Sequence, residues 1–180
     1  MKMHALVWWG ALTGILLGPM PLTAQKSEAG PGGIRRIGYL EPDSLAKLKK
    51  IYPKTAFMQK GTVEYAFNLY AIDTVGLVKG TLGFDQPDAG EIISLCKENN
   101  LDALMLTRLN FLYQKLHNYY QAEVELKLYD RQGNLISNPK CNTLHGKSYY
   151  PNPELFEVER DVLNCAIGKI AKDLKLKKKK

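Results

Sequence analysis

Cysteine and histidine supply five side chains beyond the amino-terminal segment that could serve as nucleophile, base or metal ligand: Cys96, Cys141, Cys165, His117 and His145. A zinc site needs ligands at short fixed intervals, and neither Cys-x-x-Cys nor His-x-x-x-His occurs. A hydrolase would have to use His117 or His145 as its base. Neither has a motif beside it, since Gly-x-Ser-x-Gly and His-Glu-x-x-His are both absent. Both histidines therefore read as surface or hydrogen-bonded side chains. Gly146-Lys147-Ser148 has the ending of a phosphate-binding loop, but Cys141 stands where that loop needs its first glycine. Glu123 and Glu125 share a face at period two, which solvation explains without acid–base work. The sequence predicts a non-enzymatic chain with no cofactor and no metal.

What remains is recognition chemistry. Tyr113, Tyr119, Tyr120, Tyr149 and Tyr150, with Phe111, cluster near the ends of the later predicted strands. Tyrosine buries area while keeping a hydroxyl for a partner, so these residues are a candidate partner or ligand surface. Ordinary strand composition is the plainer reading. For the cysteines, an oxidising compartment favours one disulfide and one free thiol. Cys96 falls on the apolar side of a predicted helix, so Cys141–Cys165 is the expected bridge. Three unpaired thiols are the alternative.

The compartment follows from the amino terminus. Lys2 precedes Ala5 to Leu17, an apolar run of 13 residues, followed by Gly18, Pro19 and Pro21. That run has the length of a signal-peptide core and is short for a bilayer span. Cleavage after Ala24 is expected, which leaves 156 of the 180 residues. No cysteine lies near the cleavage zone, so the chain is expected to be exported to the periplasm or envelope and not to be a lipoprotein. Residues 25–33 read as a flexible linker, 34–176 as a single α/β domain and 177–180 as a basic tail.

Charge excludes one class of partner. The formal net charge is +7, and loss of Lys2 leaves +6. Residues 172–180 hold six lysines against Asp173, so the rest of the exported chain is nearly neutral. A nucleic-acid-binding domain spreads its cations over a face, and this one does not. The tail reads either as a frayed, solvated helix end or as a weak electrostatic contact of Lys177, Lys178, Lys179 and Lys180 with anionic lipid or cell-wall polymer.

These residues must be positioned by a few elements. Ile34 to Leu40 suits a first strand. Pro42-Asp43-Ser44 offers a helix start, and Pro53 stops that helix. Residues 61–78 fit both periods; a helix to about Tyr70 and a strand from Thr74 to Val78 is the preferred reading. Asp85 can cap a helix with Pro87 in its first turn, and Ala89, Ile92, Ile93 and Cys96 then line one face. Asn99-Asn100 closes it. Leu101 to Leu106 is apolar almost throughout, as in a strand covered on both faces. Ala122 to Tyr129 alternates, Asp130 to Asn134 turns, and Leu135-Ile136 returns. Phe156, Leu163, Ile167, Ile170 and Leu174 form the stripe of a last helix. The sum is an α/β chain on the α+β border: a mixed sheet with an antiparallel carboxy-terminal hairpin and helices packed on it.

Asp102, Ala103 and Leu104, followed by Leu126, Leu128, Asp130, Gly133 and Leu135, resemble a strand-and-hairpin pattern. It is that of the periplasmic α/β domains of the TolB amino-terminal, curli-assembly lipoprotein and penicillin-binding-protein-activator group. The amphipathic helix over 154–175 fits as well. The chain departs from the lipoproteins of that group in lacking their acylated cysteine. The resemblance implies an envelope adaptor or assembly domain that binds another envelope protein, and it transfers no functional residue. A small-ligand or glycan-binding module using the tyrosine-rich strand ends is the alternative.

Overall fold

The computed structural model describes residues 33–42, 55–114, 119–143 and 155–179. The expected signal, the predicted helix after Pro42, His117, His145, Tyr149, Tyr150 and Lys180 lie outside them. In chain order the elements are β1 (Arg36–Tyr39), α1 (Thr55–Asn68), β2 (Thr74–Leu77), α2 (Ala89–Glu98) and β3 (Ala103–Gln114). β4 (Tyr119–Asp130), β5 (Leu135–Ser137), β6 (Lys140–Asn142) and α3 (Leu155–Asp173) follow. The strands form one mixed sheet in the order β2-β1-β3-β4-β5, with β6 also on β4. β2, β1 and β3 are parallel, and β4 to β6 join by antiparallel pairing. The expected fold class is the observed one.

The connections explain the layers. The chain leaves β1 through α1 to reach β2 on one side, then passes through α2 to reach β3 on β1's other side. Right-handed crossovers in opposite directions place their helices on opposite faces. One core joins Val63 and Phe67 of α1 and Leu163, Ile167 and Ile170 of α3 to Ile37, Met105, Leu109, Val124, Leu126 and Leu128. The second joins Ile92 and Cys96 of α2 to Leu40, Val78, Leu104, Leu106 and Tyr129. Alternate residues of β3 thus feed different cores, which is why Ala103 to Leu106 is apolar without a break. β4 buries Val124, Leu126 and Leu128 on one face and leaves Glu123 exposed on the other.

Residues 61–78 resolve into the end of α1 and then β2, because Val63, Ala66 and Phe67 find the larger core at helical spacing. α2 begins later than its sequence predicts. Asp88, not Asp85, is the cap, its Oδ1 accepting from the Glu91 amide at 2.9 Å. With Glu91 three residues on, this is capping-box spacing, while Asp85 pairs with Arg108 instead. Ile93, expected on the buried face, is exposed, and Leu95 packs in its stead. Asn100 closes α2 at φ 53°, with Leu101 donating to the Cys96 carbonyl at 2.8 Å. Asparagine tolerates that left-handed position.

Two glycines are required. A Cβ on Gly38 would lie 2.3 Å from Leu101 Cδ1 and 2.6 Å from Val78 Cγ2, so α2's exit and β2 close on bare backbone there. Gly133 takes φ 81° in the β4–β5 turn, where Asp130 Oδ1 accepts from the Gln132 and Asn134 amides, both at 2.9 Å. Asp102 ties β1 to the start of β3: its Oδ2 accepts from the Arg35 amide at 3.0 Å and the Arg36 amide at 2.9 Å. Cys141 on β6 is disulfide-bonded to Cys165 on α3, which fastens an edge strand of three residues to the long helix.

Candidate protein-binding surface

β3 and β4 are 12 residues each, against four for β1 and β2 and three for β5 and β6. β1 pairs only with Ala103 to Met105 of β3, and β6 reaches only Glu123 to Glu125 of β4. Only the tip of the β3–β4 hairpin, residues 112–114 and 119–121, therefore extends past the other described strands as a two-stranded arm. Among the described residues no strand pairs with the outer edge of β3 beyond Met105. Such an edge is a row of backbone donors and acceptors at strand spacing. On the arm Leu112 is 58% exposed.

The register sets the candidate tyrosines along this arm. Tyr113 pairs directly with Tyr120, and Gln114 with Tyr119. Three tyrosines on two strands thus fall at two adjacent register positions at the arm's far end. Tyr149 and Tyr150 lie outside the described residues, so the fold places no more than these three.

The base of the arm is braced by charge. Arg108 pairs with Asp85 and approaches Glu125 at 3.9 Å, and Lys140 meets Glu125 at 3.1 Å. Arg108 and Lys127 lie 4.3 Å and 4.7 Å from the Phe84 ring centre, and Lys127 Nζ donates to the Phe84 carbonyl at 2.8 Å. The hydrogen bond from Arg108 draws the Asp85 carboxyl below the usual carboxylate range. This network clips the loop before α2 onto β3 and β4. Glu125, expected as a merely solvated residue, is half-buried and bridges two cations. Sequence reasoning missed the network because its members lie on separate segments of the chain.

A second set of polar groups is buried. Tyr39 Oη, Gln59 Nε2, Thr107 Oγ1 and Glu159 Oε1 have no hydrogen-bond partner among the described residues. Tyr39 packs in the larger core, and Thr107 alternates in phase with Met105 and Leu109 on that face of β3. Burial pushes the Tyr39 phenol upward, with Glu64 and Glu41 adding to it. Burial likewise pushes the Glu159 carboxyl up to about 7. Glu159 lies four residues before Leu163 on the buried stripe of α3, a spacing that could have revealed it. The stripe runs through Leu155, Val158, Val162, Leu163, Ile167 and Ile170, while Phe156, expected in it, is only half-buried.

Cys96 is a buried free thiol, pushed upward by burial first and then by the Asp130 and Asp102 charges. No group of three His, Cys, Asp or Glu among the described residues is placed to hold a metal ion. No described helix is long and apolar enough to cross a membrane. The basic tail is not a frayed helix end. α3 stops at Asp173, and Lys177 to Lys179 run back along residues 69–71, with Tyr70 bridged to Lys178. Backbone pairing and the packing of Leu174 and Leu176 overcome mutual lysine repulsion there.

No family model and no curated protein matches this chain. Its fold is similar to that of PelC from Paraburkholderia phytofirmans, solved as a dodecamer in two crystal forms. One of these, a point variant, aligns with a TM-score of 0.53 at 9% identity, over 80% of this chain and 90% of that one. The other aligns with a TM-score of 0.53 at 10% identity, over 83% of this chain and 95% of that one. The lipoprotein GNA1162 from Neisseria meningitidis aligns with a TM-score of 0.32 at 13% identity, over 76% and 98%, too remote to carry an argument. The PelC likeness shows a shared fold.

Proposed function

We propose that this chain is an exported, non-enzymatic domain of the cell envelope that acts by binding protein chains, as an adaptor or assembly factor. The observation that carries the reading is the projecting tip of the β3–β4 arm, where Leu112 is exposed and β3 has no further strand beside it among the described residues. An extended segment adds to such an edge through main-chain hydrogen bonds, and Leu112 supplies the apolar contact that orients it. The charged brace at the arm's base holds the edge in place before a partner arrives, which lowers the ordering cost of association. The signal-like amino terminus and the resemblance to periplasmic adaptor domains support the compartment. The PelC structures of similar fold are dodecamers, so a second copy of this chain is among the partners the reading admits.

The test is a photo-crosslinking residue placed at Leu112 in the native envelope, with one at Glu98 on α2 as control. The reading expects a stoichiometric protein adduct from position 112 and none from 98. No adduct at 112, or equal adducts at both, overturns it. A small-ligand or glycan-binding module using the tyrosine-rich strand ends is the second reading, favoured by the register that sets Tyr113 opposite Tyr120 with Tyr119 beside it. A thermal-shift panel of glycans and cell-wall fragments with no stabilising member removes it.

A further inference from the structure

The end of the molecule opposite the arm carries a different surface. α3 closes at Lys175, which takes φ 53°. The Leu176 amide there donates to the Ala171 carbonyl at 2.8 Å, and that of Lys175 to the Lys172 carbonyl at 3.0 Å. This closure reverses the chain. The Ala71 amide then donates to the Lys177 carbonyl at 3.2 Å, and the Lys179 amide to the Leu69 carbonyl at 2.9 Å. Leu174 and Leu176, packed against the larger core, hold the returning strand down. Lys177, Lys178 and Lys179 are all exposed, and none pairs with an acid among the described residues.

Beside this basic strand the chain exposes two large apolar side chains. Leu69, whose carbonyl holds the Lys179 amide, is 43% exposed, and Tyr65 one turn earlier is 64% exposed. Tyr65 lies in the last turn of α1 and Leu69 directly follows that helix, so the four-residue spacing brings them close at its end. Cations alone would suit any polyanion. Cations fixed by backbone pairing next to an exposed tyrosine and leucine suit a surface that is anionic outside and apolar just beneath. We propose that this face docks on an anionic phospholipid bilayer, with Tyr65 and Leu69 entering the headgroup layer and Lys177 to Lys179 lying over the phosphates. The inference does not rest on the adaptor reading. Residues 69–73 lie at the amino-terminal end of β1, where the Asp73 amide donates to the Arg35 carbonyl at 2.8 Å, and the arm extends past its other end.

The test is co-sedimentation of residues 25–180, which contain every described element, with phosphatidylglycerol–phosphatidylcholine vesicles and with pure phosphatidylcholine vesicles. Binding is expected to the anionic vesicles and to weaken as salt rises. The K177Q/K178Q/K179Q variant should bind about a hundredfold more weakly, at the usual worth of a lysine near an anionic surface. The Y65S/L69S variant should bind about tenfold more weakly while keeping its preference for the anionic lipid. Circular dichroism of both variants checks that the fold is intact. Absence of a phosphatidylglycerol preference, or wild-type binding by the triple variant, overturns the proposal. So does binding to soluble polyphosphate that matches vesicle binding and ignores Y65S/L69S, since the ligand would then be a polymer and not a bilayer.

Discussion

Glu159→Gln tests the reading of the buried helix layer. Glu159 is only 2% exposed, and its Oε1 has no hydrogen-bond partner among the described residues. Burial moves its carboxyl from an ordinary 4.5 to about 7. At about 1.4 kcal/mol per pH unit, ionising this group inside the fold costs about 3 kcal/mol. The folded chain holds the proton to about pH 7, whereas the unfolded chain releases it near 4.5. Stability is therefore full below about 4.5, falls as pH rises to about 7, and is flat above that. Glutamine keeps the shape and cannot ionise. Urea unfolding of both proteins at about pH 5 and about pH 8 should show a wild-type loss approaching about 3 kcal/mol that the variant lacks. Parallel stability in the two proteins across that range would show that Glu159 finds water or a partner, and would refute the argument.

Two further predictions concern the scaffold. Asp102→Ala leaves the Arg35 and Arg36 amides without their acceptor and should cost about 3 kcal/mol in denaturant unfolding. Burial opposes the Asp102 charge, but those two amides and the Arg36 guanidinium outweigh it and lower its pKa. Wild-type stability from this group is present above the ordinary 3.8 and lost as pH falls through the lowered folded value, so an unchanged acid limb in the variant would contradict the assignment. Reduction of Cys141–Cys165, which closes a span of 24 residues, should cost about 3 kcal/mol. An unmoved urea midpoint after verified thiol release would show that β6 is held by other contacts.

Much of this protein is legible in the sequence, for local reasons. The apolar run at Leu101 to Leu106, the alternation from Ala122 to Tyr129 and the turn at Asp130 to Asn134 each bear a period or a turn residue that admits one conformation. From these the mixed sheet and its packed helices follow. Where two local signals compete, long-range contact decides. Asp85 and Asp88 are both competent caps, and only the arrival of Arg108 from β3 takes Asp85 out of contention. The lysine tail reads as a solvated helix end because charge favours that outcome. The fold overrides it by offering the 69–71 backbone and a core for Leu174 and Leu176.

The sequence by itself determined the two-face burial of the central strand, the apolar face of β4 and the localisation of positive charge to one end, because composition and period act through nearest neighbours. Tertiary structure alone decided which edge is left open among the described strands, which tyrosines share a register, and that Glu159 Oε1 meets no hydrogen-bond partner among the described residues. Those depend on strand lengths matched across the sheet and on helix placement over it, and no single segment carries either. Tyr113 stands opposite Tyr120 only because β3 and β4 are in register along their whole length, while β1 stops at Tyr39 and leaves the rest of β3 without a neighbour on that edge among the described strands.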